Sequence, residues 1–279
     1  PMTDLREPST LVLDIDGTLC DYDTLVPDSA ARALRAAREH GHEVFACTGR
    51  GRAEMYQHLW DLGLDGMIGG NGSYVEHHLA VVHHQVLPVD LVEEAVVWLD
   101  EHQRAYYLEC NQGLFGSHDM LEATAHLVGK DLAWARGVFP DMILDPTRGH
   151  DDVNKISFIM GADDDLDELR DMFDGRAAIG SWSANTDPDQ FGEIGQLGIS
   201  KDVGVHALAE HLGRDTSGFI GFGDARSDLP MMRACGLAVA MGQAPDEVKA
   251  AADLVTAPVD QDGLAQAFVA LGIIPADAL

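Results

Sequence analysis

The sequence predicts an α/β protein with a Rossmann-like core, a doubly wound parallel sheet into which an α+β domain is inserted. Short apolar runs alternate with helical stretches near both ends of the chain, as in a parallel sheet. Between about residues 75 and 193 the pattern changes, and long irregular connections occur. We therefore expect a core domain at residues 1–83 and 190–279 and an inserted domain at residues 84–189.

Composition sets the class of protein. The 279 residues are 46% hydrophobic and 23% charged, which is typical of a soluble globular protein. No apolar run is long enough to cross a bilayer, and the first residues lack the features of a signal peptide. We expect a cytoplasmic location. The four cysteines are far apart in the sequence, which favours reduced thiols over a zinc site or disulfides.

The charge balance restricts the partners. A formal net charge of -29 argues against nucleic acids and anionic membranes, because both require a positively charged surface. An anionic substrate would therefore need local cations, and the chain has few lysines to supply them: Lys130, Lys155, Lys201 and Lys249.

The first candidate site follows the first apolar run, Leu11 to Leu13. Asp14 and Asp16 stand where this predicted strand gives way to a turn at Gly17. Ligands of open α/β sheets bind at the carboxyl ends of strands, so the two carboxylates can face a shared cation there. An ordinary strand followed by an Asp-Gly turn is the alternative.

A second strand brings further polar groups to the same edge. A helix beginning at Asp28 or Ser29 and ending near Gly41 precedes the strand Glu43–Cys47. Thr48, Gly49 and Arg50 follow it, and the right-handed strand-helix-strand connection places Thr48 beside Asp14. Their hydroxyl, amides and guanidinium can hold phosphoryl oxygens, although a solvent-exposed arginine is the simpler interpretation of Arg50.

The next segments lead into the inserted domain. A helix from Ala53 to Leu62, a short strand and a glycine-rich loop containing Asn71 complete the first half of the core. We expect the inserted domain to hold strands of a different sheet at Val81–Leu87, Tyr106–Glu109 and Asn154–Met160, with helices at Leu91–Gln103 and Asp163–Phe173.

Histidines are dense in this region, including the pairs His77-His78 and His83-His84. No spacing typical of a metal site accompanies them, so surface or interdomain roles are favoured over metal binding. Trp182 and Asn185 come just before the chain returns to the core. Substrate contact and ordinary hinge packing are equally good interpretations of these two residues.

The remaining polar candidates lie in the second half of the core. Ser200 is a natural N-cap, which puts Lys201 in the first turn of a helix, where a cation is unfavourable unless it faces an anion. Asp224 follows the apolar run Phe219–Gly223 and repeats the placement of Asp14, while Asp228 is either a site residue or only a helix cap.

Together these residues point to phosphoryl transfer. Hard oxygen ligands without cysteine or clustered histidine favour Mg²⁺. An aspartate nucleophile, a hydroxyl and a lysine for the phosphoryl oxygens, and a magnesium ion form a complete set for chemistry through an aspartyl-phosphate.

The sequence resembles the haloacid dehalogenase (HAD) superfamily of phosphohydrolases over nearly its whole length. The motifs that carry the resemblance are Asp14-Ile15-Asp16-Gly17-Thr18, Thr48-Gly49-Arg50, Lys201, and Gly223-Asp224 with Asp228. The long insertion between the second and third motifs is similar to the C2 cap of the Cof-type branch.

The resemblance implies roles for these residues. Asp14 would be the nucleophile and Asp16 the general acid and base, with Thr48, Gly49 and Lys201 binding phosphate. Mg²⁺ would be held by Asp14, the Asp16 carbonyl and Asp224, with Asp228 behind them. Ser227 and Gln243 replace asparagines that are usual in the branch, which affects the expected metal surroundings. Haloacid dehalogenases proper lack the second aspartate, so Asp16 argues against cleavage of carbon-halogen bonds.

The leading hypothesis is a Mg²⁺-dependent phosphatase of small phosphorylated metabolites, such as a sugar phosphate. The alternatives are a phosphomutase and, less favoured, a non-catalytic metabolite-binding regulator. The candidate substrate contacts are Arg50 and Asn71 in the core and Glu109, Asn111, His118, Asn154, Trp182 and Asn185 in the cap.

Overall fold

The protein is described from a computed structural model covering residues 8–161, 166–182 and 190–279. The chain forms two compact units. The first comprises Pro1–Arg50, Met55–His84 and Ile199–Leu279, and the second comprises Gly51–Glu54 and Gln85–Gly198.

The strands, in chain order, are β1 Thr10–Leu13, β2 Glu43–Cys47, β3 Gly66–Gly69, β4 Tyr74–His77, β5 Ala80–His84, β6 Tyr106–Cys110, β7 Leu114–Gly116, β8 Val153–Ile159, β9 Ala178–Trp182, β10 Phe191–Gly195, β11 Phe219–Gly223, β12 Leu237–Ala240 and β13 Leu254–Val255. The α-helices are α1 Asp28–Glu39, α2 Gln57–Trp60, α3 Val89–Glu101, α4 Met120–Leu127, α5 Leu132–Val138, α6 Leu166–Met172, α7 Lys201–Leu212, α8 Leu229–Ala234, α9 Asp246–Ala250 and α10 Gly263–Ala270.

The first unit is built on an eight-stranded sheet in the order β13-β12-β11-β1-β2-β3-β4-β5. The six strands from β13 to β3 are parallel, and β4 and β5 extend the sheet as antiparallel strands. Leu13, the last residue of β1, lies level with Ala46 of β2 and Phe222 of β11. The residues that follow these three strands therefore emerge at one edge of the sheet.

Both faces of this sheet are covered by helices. Leu11 and Leu13 pack in a cluster with residues of α1 and α10, whereas Val12 packs in a separate cluster with residues of α7 and α8. Successive strand side chains point to opposite faces, so burial of both faces explains the unbroken apolar run of β1. The doubly wound α/β core predicted from the sequence is confirmed.

The second unit contains an antiparallel sheet of five strands in the order β7-β6-β8-β10-β9. Residues of α3 and α6 share one apolar cluster with Leu108, Ile156 and Phe158 of the sheet. Residues of α4 belong to another cluster that contains Tyr107 and Phe191. This α+β arrangement agrees with the inserted cap predicted from the change of sequence pattern.

Several predicted elements differ from the structure. The strand expected at Val81–Leu87 is β5, Ala80–His84, and assigning it to the inserted sheet was wrong, because it pairs with β4 in the core sheet. The helix expected at Ala53–Leu62 is reduced to a 3-10 turn and the four-residue α2. Part of the helix expected at Asp163–Phe173 lies outside the described residues, and the rest is α6.

Six strands and helices were not predicted: β4, β7, β9, β10, α4 and α5. The predicted domain boundaries also differ from the compact units. Strand β10 follows the boundary expected between residues 189 and 190, yet it pairs with β8 and β9 in the second sheet. Its alternating Phe-Gly-Glu-Ile-Gly sequence gives a weak strand signal, because two of its five residues are glycine. Among the described residues, no helix has the length and apolar character that a bilayer span requires.

The start of α7 packs very closely against the loop after β3. A Cβ atom added to Gly204 would overlap the Cγ2 methyl of Ile68 and lie 3.1 Å from the Cα of Gly72. Lys201 precedes Gly204 by three residues, so this close packing holds the first turn of the Lys201 helix against the loop.

We expect Gly204→Ala to lower the free energy of unfolding by about 1–2 kcal/mol, because the overlap outweighs the helix propensity that alanine gains. Urea unfolding measures this difference. Gly218→Ala is the matched control, because a Cβ at Gly218 meets nothing within 4 Å. Equal stability of the two variants would contradict the packing argument.

Candidate active site

Asp14 lies at the carboxyl end of β1, where its backbone amide donates to the carbonyl of Phe222 at 2.9 Å. Its side chain is buried, and its Oδ1 accepts a hydrogen bond from the Nζ of Lys201 at 2.6 Å. The Asp14 carboxylate is thus buried at the end of an apolar strand, and the ammonium of Lys201 is its partner there. A buried charge without such a partner would be costly.

Lys201 is the first residue of α7, as the sequence predicted, and it is 2% exposed. Ser200 occupies the N-cap position, but its hydroxyl donates to the side chain of Asp202 instead of accepting from a backbone amide. The ammonium donates to Asp14 and to Oδ1 of Asp228, both at 2.6 Å. Lys201 therefore joins the first and last acidic segments of the chain.

Asp228 is fully buried and its other oxygen is also occupied. Oδ2 accepts from the backbone amides of Asp224 at 3.0 Å and Ala225 at 2.9 Å. The Asp228 side chain thus shapes the loop that follows β11 and orients Lys201. It is more than the simple helix cap that the sequence left open.

Asp224 stands at the end of β11 and is 3% exposed. Its Oδ1 accepts from the Thr18 hydroxyl at 3.3 Å, and its Oδ2 accepts from the Tyr22 hydroxyl. Gly17 has φ +93°, and a Cβ there would overlap the Asp224 carboxylate. Only glycine allows the turn after Asp16 to approach Asp224 this closely.

The charges of this cluster do not balance. Asp14, Asp224 and Asp228 bring three buried carboxylates against the single ammonium of Lys201. Burial raises the pKa of Asp14 to about 8, with further contributions from Asp228 and Asp224, although Lys201 opposes the shift. Burial also raises the pKa of Asp224, and Asp228 adds to that shift. A second cation would relieve this repulsion.

The oxygen atoms fit a hard divalent cation. One carboxylate oxygen from each of Asp14, Asp224 and Asp228 can be chosen so that all three lie within 4.8 Å of one another. The oxygens of Asp228 accept from the Lys201 ammonium and from two backbone amides, whereas those of Asp224 accept from hydroxyl groups that can rotate away. Asp14 and Asp224 are therefore the better direct ligands. A set made only of carboxylate oxygens matches the preference of Mg²⁺.

Asp16 forms a bidentate ion pair with Arg50. The Nε of Arg50 lies 2.9 Å from Oδ2 and its Nη2 lies 2.7 Å from Oδ1. The guanidinium also lies over the ring of Tyr56, 5.1 Å from the ring centre. Arg50, predicted as a substrate contact, is therefore engaged by Asp16 in this structure, and it fixes the orientation of the Asp16 carboxylate.

The phosphate-binding candidates Thr48 and Gly49 follow β2. Thr48 is 2% exposed, its Oγ1 accepts from the amide of Arg50 at 3.1 Å, and its carbonyl accepts from the amide of Asn71 at 3.1 Å. A Cβ on Gly49 would lie 3.2 Å from Oδ1 of Asn71. The loops after β2 and β3 are thus joined at the sheet edge where the sequence placed them.

Residues 11–268 match the family of haloacid dehalogenase-like hydrolases. The chain belongs to this family. It is similar to the pyridoxal phosphate phosphatase YbhA of Escherichia coli K12, with 27% identity over 92% of this chain and 96% of the relative. It is 28% identical to 5-amino-6-(5-phospho-D-ribitylamino)uracil phosphatase YcsE of Bacillus subtilis over 92% of this chain and 93% of the relative.

A solved structure gives the same result. The HAD subclass IIB sugar phosphatase BT4131 superimposes with a TM-score of 0.73 and 25% identity, over 95% of this chain and 100% of that one. The HAD-like fold with an inserted cap and the predicted enzyme class, a phosphoric monoester hydrolase, are therefore confirmed.

The cap candidates lie in the second unit of this HAD-like hydrolase. Glu109 is 2% exposed, accepts from the Ser157 hydroxyl at 2.6 Å, and has its Oε2 3.5 Å from the Nζ of Lys155. Burial raises the pKa of Glu109 to about 8, and Lys155 opposes the shift. Glu109 therefore has structural partners within the cap itself.

Asn154 is also buried, and its amide donates to the amide oxygen of Asn111 at 2.9 Å. His118 is exposed and its Nδ1 lies 3.1 Å from the carbonyl of Leu144. The backbone of Trp182 pairs with Phe191 in the cap sheet, and Asn185 lies outside the described residues.

Sequence reasoning missed two side chains at the candidate active site. Thr18 was visible as the last residue of the first motif, whereas Tyr22 lies in a loop that gave no signal. In the sequence Gln243 stands out only as a departure from the family, yet its Nε2 donates to the carbonyl of Gly17 and its Oε1 accepts from the amide of Val259 at 3.1 Å. It therefore supports the turn that follows Asp16.

The raised pKa of Asp14 predicts a pH-dependent stability. The folded protein holds this proton up to about pH 8, whereas the unfolded chain releases it near the ordinary aspartate pKa of 3.8. The Asp14 contribution should therefore fall as pH rises through this window, by at most about 1.4 kcal/mol per pH unit. Mg²⁺ should restore it most strongly at the alkaline end.

Differential scanning calorimetry with and without Mg²⁺, at several values between pH 5 and pH 8, measures this effect. Asp14→Asn removes the titrating group and should flatten the difference between the two conditions. A Mg²⁺ stabilisation that is equal at both ends of the range, or that is unchanged in Asp14→Asn, would contradict the prediction.

Proposed function

We propose that this chain is a Mg²⁺-dependent phosphatase of small phosphorylated metabolites, a sugar phosphate or a related phosphomonoester, acting through an aspartyl-phosphate on Asp14. The observation that carries the proposal is the buried cluster in which Lys201 contacts both Asp14 and Asp228 beside Asp224. It supplies a carboxylate nucleophile, a cation for phosphoryl oxygens and the ligands of a metal ion.

Asp14 attacks phosphorus with a carboxylate oxygen, and the bond from phosphorus to the substrate's ester oxygen breaks. Lys201, the Thr48 hydroxyl and the backbone amide of Gly49 would bind the transferred phosphoryl group. Asp14 and Asp224, with the backbone carbonyl of Asp16, would hold Mg²⁺. When bound, this ion would offset the repulsion between the carboxylates and the phosphoryl group.

Asp16 serves both half-reactions. As an acid it gives its proton to the departing ester oxygen. As a base it then takes a proton from the water that attacks the phosphorus of the aspartyl-phosphate, which releases inorganic phosphate and restores the Asp14 carboxylate. Arg50 holds the Asp16 carboxylate in this structure, so Asp16 must leave the ion pair in order to carry the proton.

The substrate class rests on the relatives. One is a phosphatase of pyridoxal phosphate and another is described as a sugar phosphatase, so both kinds of small phosphomonoester belong in the first assays. A panel of sugar phosphates, pyridoxal phosphate and p-nitrophenyl phosphate with Mg²⁺ tests the proposal by release of inorganic phosphate. Formation of an isomeric sugar phosphate without free phosphate would instead indicate a phosphomutase.

Asp16→Asn separates the two half-reactions. p-Nitrophenolate leaves readily without an acid, so we expect the first step to persist and the hydrolysis of the aspartyl-phosphate to slow by about 10²–10⁴-fold. Stopped-flow absorbance should show a burst of p-nitrophenolate close to one equivalent of enzyme. Rapid quenching with ³²P-labelled phosphate donor should recover label on the protein.

Asp14→Asn is the control for this experiment, because it should give neither burst nor label. A burst that survives in Asp14→Asn would assign the nucleophile to another residue. Steady hydrolysis by Asp16→Asn at the wild-type rate would remove Asp16 from the mechanism.

We further propose that the cap selects the substrate, with Asn154 among the contacts. Asn154→Ala should change the ratio of kcat/KM between two metabolites of the panel by about tenfold, since a lost hydrogen bond costs about 1–1.5 kcal/mol. The rate with p-nitrophenyl phosphate should hardly change. Gln112→Ala is the control, because Gln112 is exposed in the same part of the cap. Equal changes for all substrates would argue for a purely structural role.

A further inference from the structure

A second cluster of potential metal ligands lies at the opposite edge of the core sheet. Glu43 begins β2, and His77 ends β4 opposite Gly66, the first residue of β3. The parallel strands begin at this edge, whereas the Asp14 cluster lies where they end. The length of β2 separates the two edges by about 13 Å.

The geometry points to a binding site for one zinc ion at this edge; we propose that Glu43, His77 and His78 are its three protein ligands. One ligand atom from each residue can be chosen so that all three lie within 4.8 Å of one another. Two imidazoles and one carboxylate form a common zinc ligand set that leaves a fourth position for water or another ligand.

The distance between His77 and Glu43 supports a metal better than a direct hydrogen bond. His77 Nε2 is buried and has no hydrogen-bond partner among the residues that the structure describes, although Oε1 of Glu43 lies 3.4 Å away. Two ligands held about 2.0–2.1 Å from a tetrahedral zinc ion lie about 3.3–3.4 Å apart. The two atoms therefore have the spacing of neighbouring ligands without a proton shared between them.

Neighbouring residues fix the orientation of the Glu43 and His77 side chains. Arg214 donates to the other oxygen of Glu43 and to the hydroxyl of Thr10, which leaves Oε1 facing His77. On the other side of the His77 ring, Nδ1 lies 3.1 Å from Nε2 of His211. Zinc-bound imidazoles commonly use their second nitrogen in a hydrogen bond of this kind, which fixes ring orientation and tautomer.

His78 is brought to the cluster by a tight turn. It and Leu79 link β4 to β5, and both have positive φ angles, 47° and 67°. Its amide donates to the carbonyl of Asp65 at 2.8 Å, and its ring centre lies 4.2 Å from that of His77.

The cluster differs in chemistry from the candidate Mg²⁺ site. Imidazole nitrogens favour zinc, cobalt and related ions, whereas carboxylate oxygens alone favour Mg²⁺. Zinc at this site would join the start of β2 to the hairpin of β4 and β5. Its binding would therefore stabilise the amino-terminal edge of the sheet independently of catalysis.

Isothermal titration with Zn²⁺ in the presence of excess Mg²⁺ tests the proposal on the full chain. The same titrations of the Asp224→Asn variant identify any zinc that binds the candidate Mg²⁺ site instead. We expect one zinc per chain in both backgrounds. His78→Gln, which alters an exposed side chain, should weaken this binding by more than about 100-fold, and His211→Ala by about 10–100-fold.

His206→Gln is the matched control, since His206 is an exposed histidine on the same helix as His211. Equal zinc affinity of wild type, His78→Gln and His206→Gln would overturn the proposal, as would the loss of all zinc binding in Asp224→Asn. Circular dichroism of each variant without metal shows whether the fold is intact.

Co²⁺ provides a second readout that does not depend on enzyme activity. A four- or five-coordinate Co²⁺ ion with two imidazole ligands absorbs visible light more strongly than one in an octahedral oxygen site. We expect this stronger absorption in wild type and Asp224→Asn, its loss in His78→Gln and its displacement by Zn²⁺. A spectrum typical of oxygen ligands alone in every variant would contradict nitrogen ligation.

Discussion

The ion pair network of Lys201 is the interaction on which the candidate active site depends. Its ammonium contacts Asp14 at the end of β1 and Asp228 after β11, so residues far apart in the sequence become one buried cluster. Truncating one partner of such a network leaves another charge buried and unpaired, which is strongly destabilising. The close packing of Gly204 against Ile68 and Gly72 matters for this network, because it holds the first turn of the Lys201 helix in place.

The same network remains short of positive charge. One ammonium cannot neutralise the carboxylates of Asp14, Asp224 and Asp228, and burial amplifies their mutual repulsion. A fold selected for stability alone would replace some of these groups by apolar residues. Their presence together at the carboxyl edge is therefore understandable as a cost of the proposed function, in which they would bind a cation and attack phosphorus.

Much of the core could be predicted because its signals are local. Asp14 and Asp224 each follow a short apolar run, and parallel topology brings such strand ends to one edge. The ion pair of Asp16 with Arg50 could not be predicted in this way. The topology brings the two backbones to the same edge, but the contact also depends on the rotamers of both side chains. Tyr22 reaches Asp224 from an irregular loop, where no periodicity fixes the direction of a side chain.

The pair His77-His78 also shows that sequence spacing alone does not predict contacts between strands. The sequence argued against a metal because no third ligand stands at a typical spacing from His77 and His78. In the folded chain the third candidate, Glu43, comes from β2, and His211 comes from the end of α7. Sheet registry, which one sequence does not specify, places β4 beside β3 and brings these residues together.

The two edges of the sheet differ in what their neighbours provide. At the carboxyl edge, strands end in aspartates, and a lysine at a helix start compensates only part of their charge. At the amino edge, Glu43 is partly compensated by Arg214, and the imidazole of His77 lies 3.4 Å from its remaining oxygen. A hard cation such as Mg²⁺ is therefore favoured at the carboxyl edge and zinc at the amino edge. The type of ligand atom distinguishes the two sites, whereas the negative charge that both contain does not.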